Sequence, residues 1–293
     1  MIAIPAGTFY DGYAYMTIST AFSMSEYPIT QSQYEAVMGS NPSASGSGNN
    51  YPVDSANWYQ AIVFCNTLSI AEGLTPVYSI NGSTNPSAWG TIPVSGGGAN
   101  MSWDSVTMAK GASGYRLPTS SEWMWAAMGG LQDGLTSDVV INPTYGKVNE
   151  SGYLKGYAGS TEVNGGTSNI GNYCWYSANS GGRTQPVGGK LPNEFGLYDM
   201  CGNVGEYTFD YYWGEEQGAS NGNPVAISFP STDETDYSGL PAGTGVWRWI
   251  LGGSFTDSTG YMAILPQGTY VEALNPSIAK DYVGFRVVKG GAY

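Results

Sequence analysis

The chain has 293 residues, including 43 glycines, 16 prolines and 23 tyrosines, and only 11% of its residues are charged. Its net charge is −13 with ten lysines and arginines, which argues against binding to nucleic acid or to an anionic membrane surface. The chain contains no histidine, which excludes imidazole metal ligands and Ser-His-Asp catalysis. This composition predicts a loop-rich α+β protein.

The helices and the first strand are predicted by local signals in chain order. Residues 2–9 predict an edge strand. Thr30 followed by Gln33 is a capping-box pattern that predicts the start of a first helix. A second helix is expected over residues 56–68, with Trp58, Ile62, Cys65 and Leu68 on one buried face. Thr119 with Glu122 predicts a third helix, which should end near the glycine pair at 129–130.

The chain has three cysteines, and none of them forms a CxxC pair. Cys65 lies in an apolar run and is expected to be a small buried hydrophobic residue. For Cys174 and Cys201 the sequence is compatible with either a disulfide or two free thiols. No stretch contains the roughly 18 apolar residues that a membrane-spanning helix needs.

The C-terminal block has a distinct pattern. Residues 251–255 (LGGSF) and 284–288 (GFRVV) both read as strands with glycines where backbones pack closely. The segment between them shows neither helical nor strand periodicity over a useful length. Two fixed strands around a diverse segment indicate a scaffold that displays the segment between them.

Six motifs in this order resemble the formylglycine-generating-enzyme (sulfatase-modifying factor) family, and together they span most of the chain. The motifs are AIPAGTF at 3–9, YPITQSQY at 27–34, YPV at 51–53, YRLPT at 115–119, NEFGLYDMCGNVGE at 193–206, and the pair GGSF and GFRVV. The resemblance implies one domain over residues 1–293, with an α+β C-type-lectin-like fold of small antiparallel sheets, two or three helices and long loops. The display region would lie at about 247–288.

The chain departs from this family at the catalytic centre. The enzymes carry two cysteines soon after the GGS strand, and those thiols bind copper and perform the oxidation. In this chain the corresponding places are held by Asp257 and Met262, neither of which can supply a thiolate. The resemblance therefore implies a protein without the enzymatic activity and without a catalytic cofactor.

The family resemblance also implies a structural calcium site in the loop between Asp199 and Glu206. Its ligands would be those two side chains and the backbone carbonyls of Met200, Gly202 and Val204. The alternative is that both acids hydrogen-bond the turn without a metal. Gly205 stands where the family usually has an aromatic residue.

Cations are scarce in this chain, and two of them, Arg116 and Arg286, occur in strand-like segments. Each could bind an anion, but pairing with a structural acid is the favoured interpretation.

One branch of the family lacks the cysteines: the variable proteins of diversity-generating retroelements. Similarity to this branch implies a receptor- or adhesin-like protein with direct ligand contacts, in which Tyr and Phe are anchors and small polar residues adapt. The expected contact residues are Ile250, Phe255, Thr256, Asp257, Ser258, Thr259, Tyr270, Asn275, Asp281 and Tyr282. For Ile250 and Phe255 the alternative is an ordinary core position.

The expected partner is a protein or another macromolecule at the cell surface. The protein is expected to be a monomer that neither binds nucleic acid nor inserts into a membrane. We expect a lipid-anchored surface protein whose anchor segment is absent from the printed sequence. The competing hypotheses are a divergent enzyme of the same family and a structural module without a specific ligand.

Overall fold

A computed structural model describes residues 1–94, 101–132, 139–162, 166–212, 232–237, 247–264 and 272–291. Within these ranges the helices are α1 (Gln31–Met38), α2 (Trp58–Ala71), α3 (Met101–Asp104) and α4 (Ser120–Ala127). The strands are β1 (Ile2–Ile4), β2 (Gly7–Tyr10), β3 (Tyr15–Ile18), β4 (Phe22–Met24), β5 (Tyr78–Ser79), β6 (Thr107–Met108), β7 (Tyr115–Arg116), β8 (Val139–Asn142), β9 (Gly146–Asn149), β10 (Gly205–Tyr212), β11 (Glu234–Thr235), β12 (Trp247–Leu251), β13 (Glu272–Leu274), β14 (Val283–Gly284) and β15 (Val288–Gly290). Short 3-10 turns occur at Pro86–Ala88, Gly130–Gln132, Gly152–Leu154, Ile170–Asn172 and Thr259–Met262.

Capping boxes start the three longer helices. The Thr30 and Thr119 side chains each accept a hydrogen bond from the backbone N–H three residues later, as predicted. The same arrangement at Asn57 and Gln60 was not predicted, and it makes α2 begin two residues later than expected. A capping residue thus fixes where each of these helices begins.

The strands in the described ranges form three main sheets and one two-stranded ribbon. Their orders are β1-β4-β15-β7, β13-β12-β10-β14 and β11-β3-β2-β9-β8, with β5-β6 as the ribbon. The first sheet joins both ends of the chain, because β15 pairs with β4, and β4 pairs with β1. The architecture is therefore mixed α+β with several small sheets, as the sequence predicted.

The expected first strand over residues 2–9 is wrong as a single element. It consists of β1 and β2, which belong to different sheets. Pro5 lies between them and has no N–H to continue a ladder, so the chain changes sheets there. Only β1 is an edge strand, since β2 pairs with β3 on one side and with β9 on the other.

Two large apolar clusters form the core, and each lies under one helix. The first surrounds α2 and includes Trp58, Phe64 and Phe285; the second surrounds α4 and includes Trp123 and Trp125. The predicted α2 face is confirmed for the buried Trp58, Ile62 and Cys65, while Leu68 is partly buried. No helix in the described ranges is long and apolar enough to cross a membrane.

The C-terminal block closes on itself as a sheet. The predicted strand at 251–255 instead ends at Leu251, and the predicted strand at 284–288 is divided between β14 and β15. The segment between these ends contains β13, which the lack of periodicity had concealed and which pairs with β12. The sheet β13-β12-β10-β14 is called the strand frame below.

Candidate functional site

Two glycines turn the chain out of β12. Gly252 and Gly253 have φ angles of +91° and +64°, a region that other residues rarely adopt. A Cβ atom on Gly253 would lie 2.7 Å from the carbonyl oxygen of Tyr261 and 3.0 Å from Met262. The GGS motif therefore permits residues 254–262 to fold back tightly on themselves. We call these residues the C-terminal loop.

The first turn of the C-terminal loop is closed by Asp257. One of its carboxylate oxygens, Oδ2, accepts hydrogen bonds from the Ser254 backbone N–H at 2.8 Å and the Ser254 hydroxyl at 2.6 Å. Burial raises the pKa of Asp257, and the two Ser254 hydrogen bonds oppose that rise. This carboxylate has a structural role, which leaves less of it for a ligand.

Outside contacts hold the loop mainly through its backbone. The Phe255 N–H donates to the Asn203 carbonyl oxygen at 3.0 Å, and the Phe255 carbonyl accepts from the Ser180 hydroxyl at 3.0 Å. The Asp257 carbonyl accepts from the Ser177 N–H at 3.0 Å. The supports from Asn203 and Ser177 could not be predicted from the sequence, because both use backbone groups that almost any residue type provides.

A disulfide joins the segments that provide these supports. Cys174 and Cys201 are bonded, with 5.2 Å between their Cα atoms, so the disulfide alternative is the one realised. The buried Met262 belongs to the same small cluster as both half-cystines, so the far end of the loop packs beside the bridge. Cys65 is a free, buried cysteine, as predicted, and burial raises the pKa of its thiol.

The expected contact residues differ in exposure. Thr256, Ser258 and Asp281 are exposed, and Thr259 and Tyr282 are partly exposed. Asp257 and Asn275 are also partly exposed.

The Asn275 side chain is engaged locally, because its oxygen accepts hydrogen bonds from the N–H and the hydroxyl of Ser277. Tyr270 lies outside the described residues.

Ile250 and Phe255 do not agree with the expectation of direct ligand contact. They are 4% and 3% exposed, respectively, and Ile250 belongs to the core cluster around α2. A Cβ atom on Gly205 would lie 2.6 Å from Ile250 Cγ2. Ile250 therefore fills the space next to the position where the family usually has an aromatic residue, and both side chains belong to the scaffold.

Beside the loop, Tyr282 is oriented by a carboxyl group that the sequence analysis missed. Its hydroxyl donates to Glu272 Oε1 at 2.7 Å. Burial raises the pKa of Glu272 to about 7, while the Tyr282 hydrogen bond and Lys280 oppose the shift. Glu272 lies on β13, a strand that the sequence did not predict. The contact with Tyr282 therefore could not be expected before the position of β13 beside β12 was known.

The carboxylate of Glu206 is occupied by nitrogen donors. Its two oxygens accept from Arg286 Nε at 2.6 Å and Nη2 at 2.7 Å, and Trp123 Nε1 donates to Oε2 at 2.6 Å. Arg286 also donates to the carbonyl oxygens of Ser25 and Tyr198. The predicted pairing of Arg286 with a structural acid is confirmed.

The Asp199 side chain is engaged in a similar way. Its Oδ2 accepts from the Gly188 N–H at 2.8 Å, and burial raises its pKa to about 6. The loop is also held by the close approach of Gly202 to Trp175, where a Cβ would meet the Trp175 carbonyl oxygen. The side chains of Asp199 and Glu206 thus already accept hydrogen bonds from N–H groups of the protein, and calcium binding by these two acids with the carbonyls of Met200, Gly202 and Val204 stays a prediction.

Arg116 forms a second buried ion pair. Its Nη1 and Nη2 each donate to a carboxylate oxygen of Glu122 at 2.6 Å. Glu122 is also the capping-box acid of α4, so one side chain joins a helix start to strand β7. The prediction that Arg116 pairs with a structural acid is confirmed.

Comparisons with known proteins agree with this architecture. The model of the sulfatase-modifying factor enzyme 1-like domain matches residues 1–290. The chaperone protein LppX of Paenibacillus barcinonensis is 34% identical over 242 residues, which cover 78% of this chain and 80% of that protein. The solved structure of Treponema denticola variable protein 1 is 32% identical, with a TM-score of 0.74, and the match covers 99% of this chain and 94% of that one.

The similarity to a named enzyme is more local. The formylglycine-generating enzyme of Mus musculus is 32% identical over 113 residues, which cover 39% of this chain and 27% of that enzyme. The fold is thus the C-type-lectin-like fold of the formylglycine-generating type, built around a mixed set of small sheets. The chain belongs to the family defined by the sulfatase-modifying factor enzyme 1-like domain.

Proposed function

We propose that this protein is a non-catalytic ligand-binding protein whose C-terminal loop is the centre of its binding surface. The observation that carries the proposal is a contrast within the loop. Its backbone is fixed by hydrogen bonds to Asn203, Ser177 and Ser180, while the side chains of Thr256 and Ser258 are exposed. A fixed backbone lowers the entropic cost of binding, and exposed hydroxyls can adapt to different partners.

The surface suits a macromolecular ligand, and we infer that this ligand is a protein at the cell surface. Tyr282, held by Glu272, is a partly exposed aromatic residue beside the polar loop, an arrangement typical of protein-binding surfaces. The similarity to a treponemal variable protein supports diversification of this surface by a retroelement. The chaperone relative supports a role that depends on binding.

The state of the cysteines supports a non-catalytic function. Cys174 and Cys201 are joined in a disulfide, and Cys65 is buried in the core around α2 with a raised thiol pKa. A copper-dependent thiol oxidation needs accessible thiolates. The C-terminal loop itself has Asp257 and Met262 where the enzymes carry cysteines, by the family resemblance.

A binding screen tests the proposal. An array of extracellular proteins is probed with the wild-type chain and with the triple variant Thr256→Ala, Ser258→Ala, Thr259→Ala. The matched control replaces three exposed polar residues elsewhere, Ser40, Thr91 and Thr144, with alanine. We expect saturable binding to one or more partners. The loop variant should bind them at least tenfold more weakly, and the control variant should bind them with unchanged affinity. Partners that bind both variants equally, or a complete absence of partners, would contradict the proposal.

The second candidate function is a divergent oxidase of the same family, favoured by the local similarity to the mouse enzyme. Copper is added to the purified protein, and oxygen uptake is followed with a cysteine-containing peptide as substrate. Binding without catalysis predicts no turnover above that of free copper. Sustained turnover that is lost in a Cys174→Ala, Cys201→Ala variant would favour the oxidase.

A further inference from the structure

A cleft of about 530 Å³ lies between α1, α2 and the sheet that joins the chain ends. Its deepest walls are apolar, because Ile29, Phe64 and Val287 are 4%, 1% and 2% exposed. Val37 of α1 and Leu68 of α2 are partly buried and line the opposite walls. The volume and the apolar lining are typical of sites for small molecules.

The polar groups of the cleft are two pairs of glutamate and tyrosine. The Tyr115 hydroxyl donates to Glu72 Oε2 at 2.8 Å. Glu26 and Tyr27 are adjacent in the chain and also line the cleft, and burial raises the pKa of the Tyr27 hydroxyl. Each wall therefore carries a carboxylate beside an aromatic ring.

Glu26 and Glu72 lie next to different strands of the sheet that joins the chain ends. Glu26 follows β4, and the Glu72 carboxylate is bonded to Tyr115 of β7. Strands β4 and β7 are the two neighbours of β15, so they lie two strand spacings apart, or about 10 Å. Val287, just before β15, forms the apolar floor between them.

The charge of the cleft favours a cation. No lysine or arginine is among its lining residues, and the only positive charge these residues can carry is the amino group of Met1. The Tyr115 ring already attracts an ammonium group, because Lys289 Nζ lies 5.5 Å from its centroid.

We propose that this cleft binds a linear aliphatic diamine of the polyamine class, with one ammonium group at each carboxylate and the carbon chain on the apolar floor. The proposal concerns a second site, separate from the C-terminal loop.

The test compares three probes of equal carbon length: 1,6-diaminohexane, hexylamine and 1-hexanol, titrated calorimetrically at low salt. We expect the diamine to bind most tightly, hexylamine about threefold more weakly and hexanol about tenfold more weakly, the range that exposed ion pairs support. Glu26→Gln and Glu72→Gln should each reduce diamine binding to the level of hexylamine, and the double variant to that of hexanol. Val37→Trp, which fills the cleft, should abolish binding of all three.

Glu35→Gln is the matched control, because Glu35 is an exposed residue on α1 that does not line the cleft. It should leave all three affinities unchanged. Equal affinities for diamine and hexanol, no saturable binding, or equal losses in Glu35→Gln and Glu72→Gln would overturn the proposal. Nα-acetyl-lysine amide binding more tightly than the diamine would assign the cleft to a lysine of a polypeptide partner instead, and would also overturn it. A thermal melt of each variant separates these results from misfolding.

Discussion

The strand frame and the C-terminal loop are neighbours in the chain, but they are held by different kinds of contact. The frame depends on particular side chains, such as the Glu206–Arg286 pair and the packing of Ile250 against Gly205. The loop depends on backbone groups of Phe255 and Asp257, on the buried Phe255 ring, on the Asp257–Ser254 hydrogen bonds and on the nearby disulfide. The exposed Ser258 side chain takes part in none of these contacts, so we expect changes there to leave the fold intact.

The largest expected effect is in the frame. Arg286→Ala should lower the free energy of unfolding by about 3 to 5 kcal/mol, because it leaves the buried Glu206 carboxylate without its ionic partner. Urea unfolding measures this change. Arg183→Ala, at an exposed arginine, is the control and should stay within about 0.5 kcal/mol of wild type. A loss below about 1 kcal/mol in Arg286→Ala would contradict the statement that the strand frame depends on the Glu206–Arg286 pair.

The disulfide should have the next largest effect. Replacing Cys174 and Cys201 with alanine should reduce the free energy of unfolding by about 2 to 4 kcal/mol, since the bridge closes a chain segment with a sequence separation of 27. Amide hydrogen exchange should also rise at Ser177 and Phe255, whose N–H groups hold the loop. Unchanged exchange at both sites would show that the bridge does not support the loop. Adding reductant to the double variant should have no further effect.

A smaller effect is expected from pH. Burial raises the folded-state pKa of Glu272 from 4.5 to about 7. Its contribution to stability is therefore fully present below about pH 4.5 and is lost as pH rises towards 7, because the unfolded chain ionises first. Because Glu272 is partly exposed and solvent screens part of the burial penalty, the wild type should lose about 1 to 2 kcal/mol relative to Glu272→Gln, less than the roughly 3 kcal/mol that the whole shift would give.

Urea unfolding at several pH values follows that difference, and the subtraction removes the contributions of Asp199 and Asp210, which both proteins share. Asp281→Asn, at an exposed neighbour, should run parallel to the wild type. A wild-type curve that rises with pH relative to Glu272→Gln would show that the carboxylate is stabilised in its ionised form.

The smallest effects are expected in the loop side chains. Ser258→Ala should change the free energy of unfolding by less than about 0.5 kcal/mol, because its side chain is exposed. Thr256→Ala should cost about 1 kcal/mol or less, because it removes only the hydrogen bond between the Thr256 and Ser254 hydroxyls at 2.8 Å. Phe255→Ala, one residue away but buried, should cost about 3 to 5 kcal/mol. Thermal or urea unfolding of the three variants tests the contrast directly. A loss above 1 kcal/mol at Ser258 would mean that its side chain is part of the scaffold.

Local signals made part of this structure predictable. Some features depend only on residues close together in the chain, so they could be predicted from the sequence. They are the capping boxes at Thr30 and Thr119 and the apolar face of α2. The division of the first strand at Pro5 was missed because its two halves pair with different strands, β1 with β4 and β2 with β3 and β9, and such pairing is not visible in the local pattern. β13 was missed because a three-residue strand shows no useful periodicity.

The candidate site was less predictable than the fold. Residue type identified exposed polar positions such as Thr256 and Ser258, but it could not separate them from the buried Ile250 and Phe255. The supports at Ser177 and Asn203 act through backbone groups, which many residue types could provide. The family resemblance indicated the location of the loop, and only the structure revealed the contacts that hold its backbone.

Deep sequencing of this gene across many clones of its source organism would test directly whether the C-terminal surface is diversified. We expect substitutions concentrated at exposed positions of the C-terminal region, above all Thr256, Ser258 and Thr259. Arg286, Glu206 and the two half-cystines should remain unchanged. A C-terminal loop as invariant as the strand frame, or changes spread evenly over both, would contradict a diversified binding surface on a fixed scaffold.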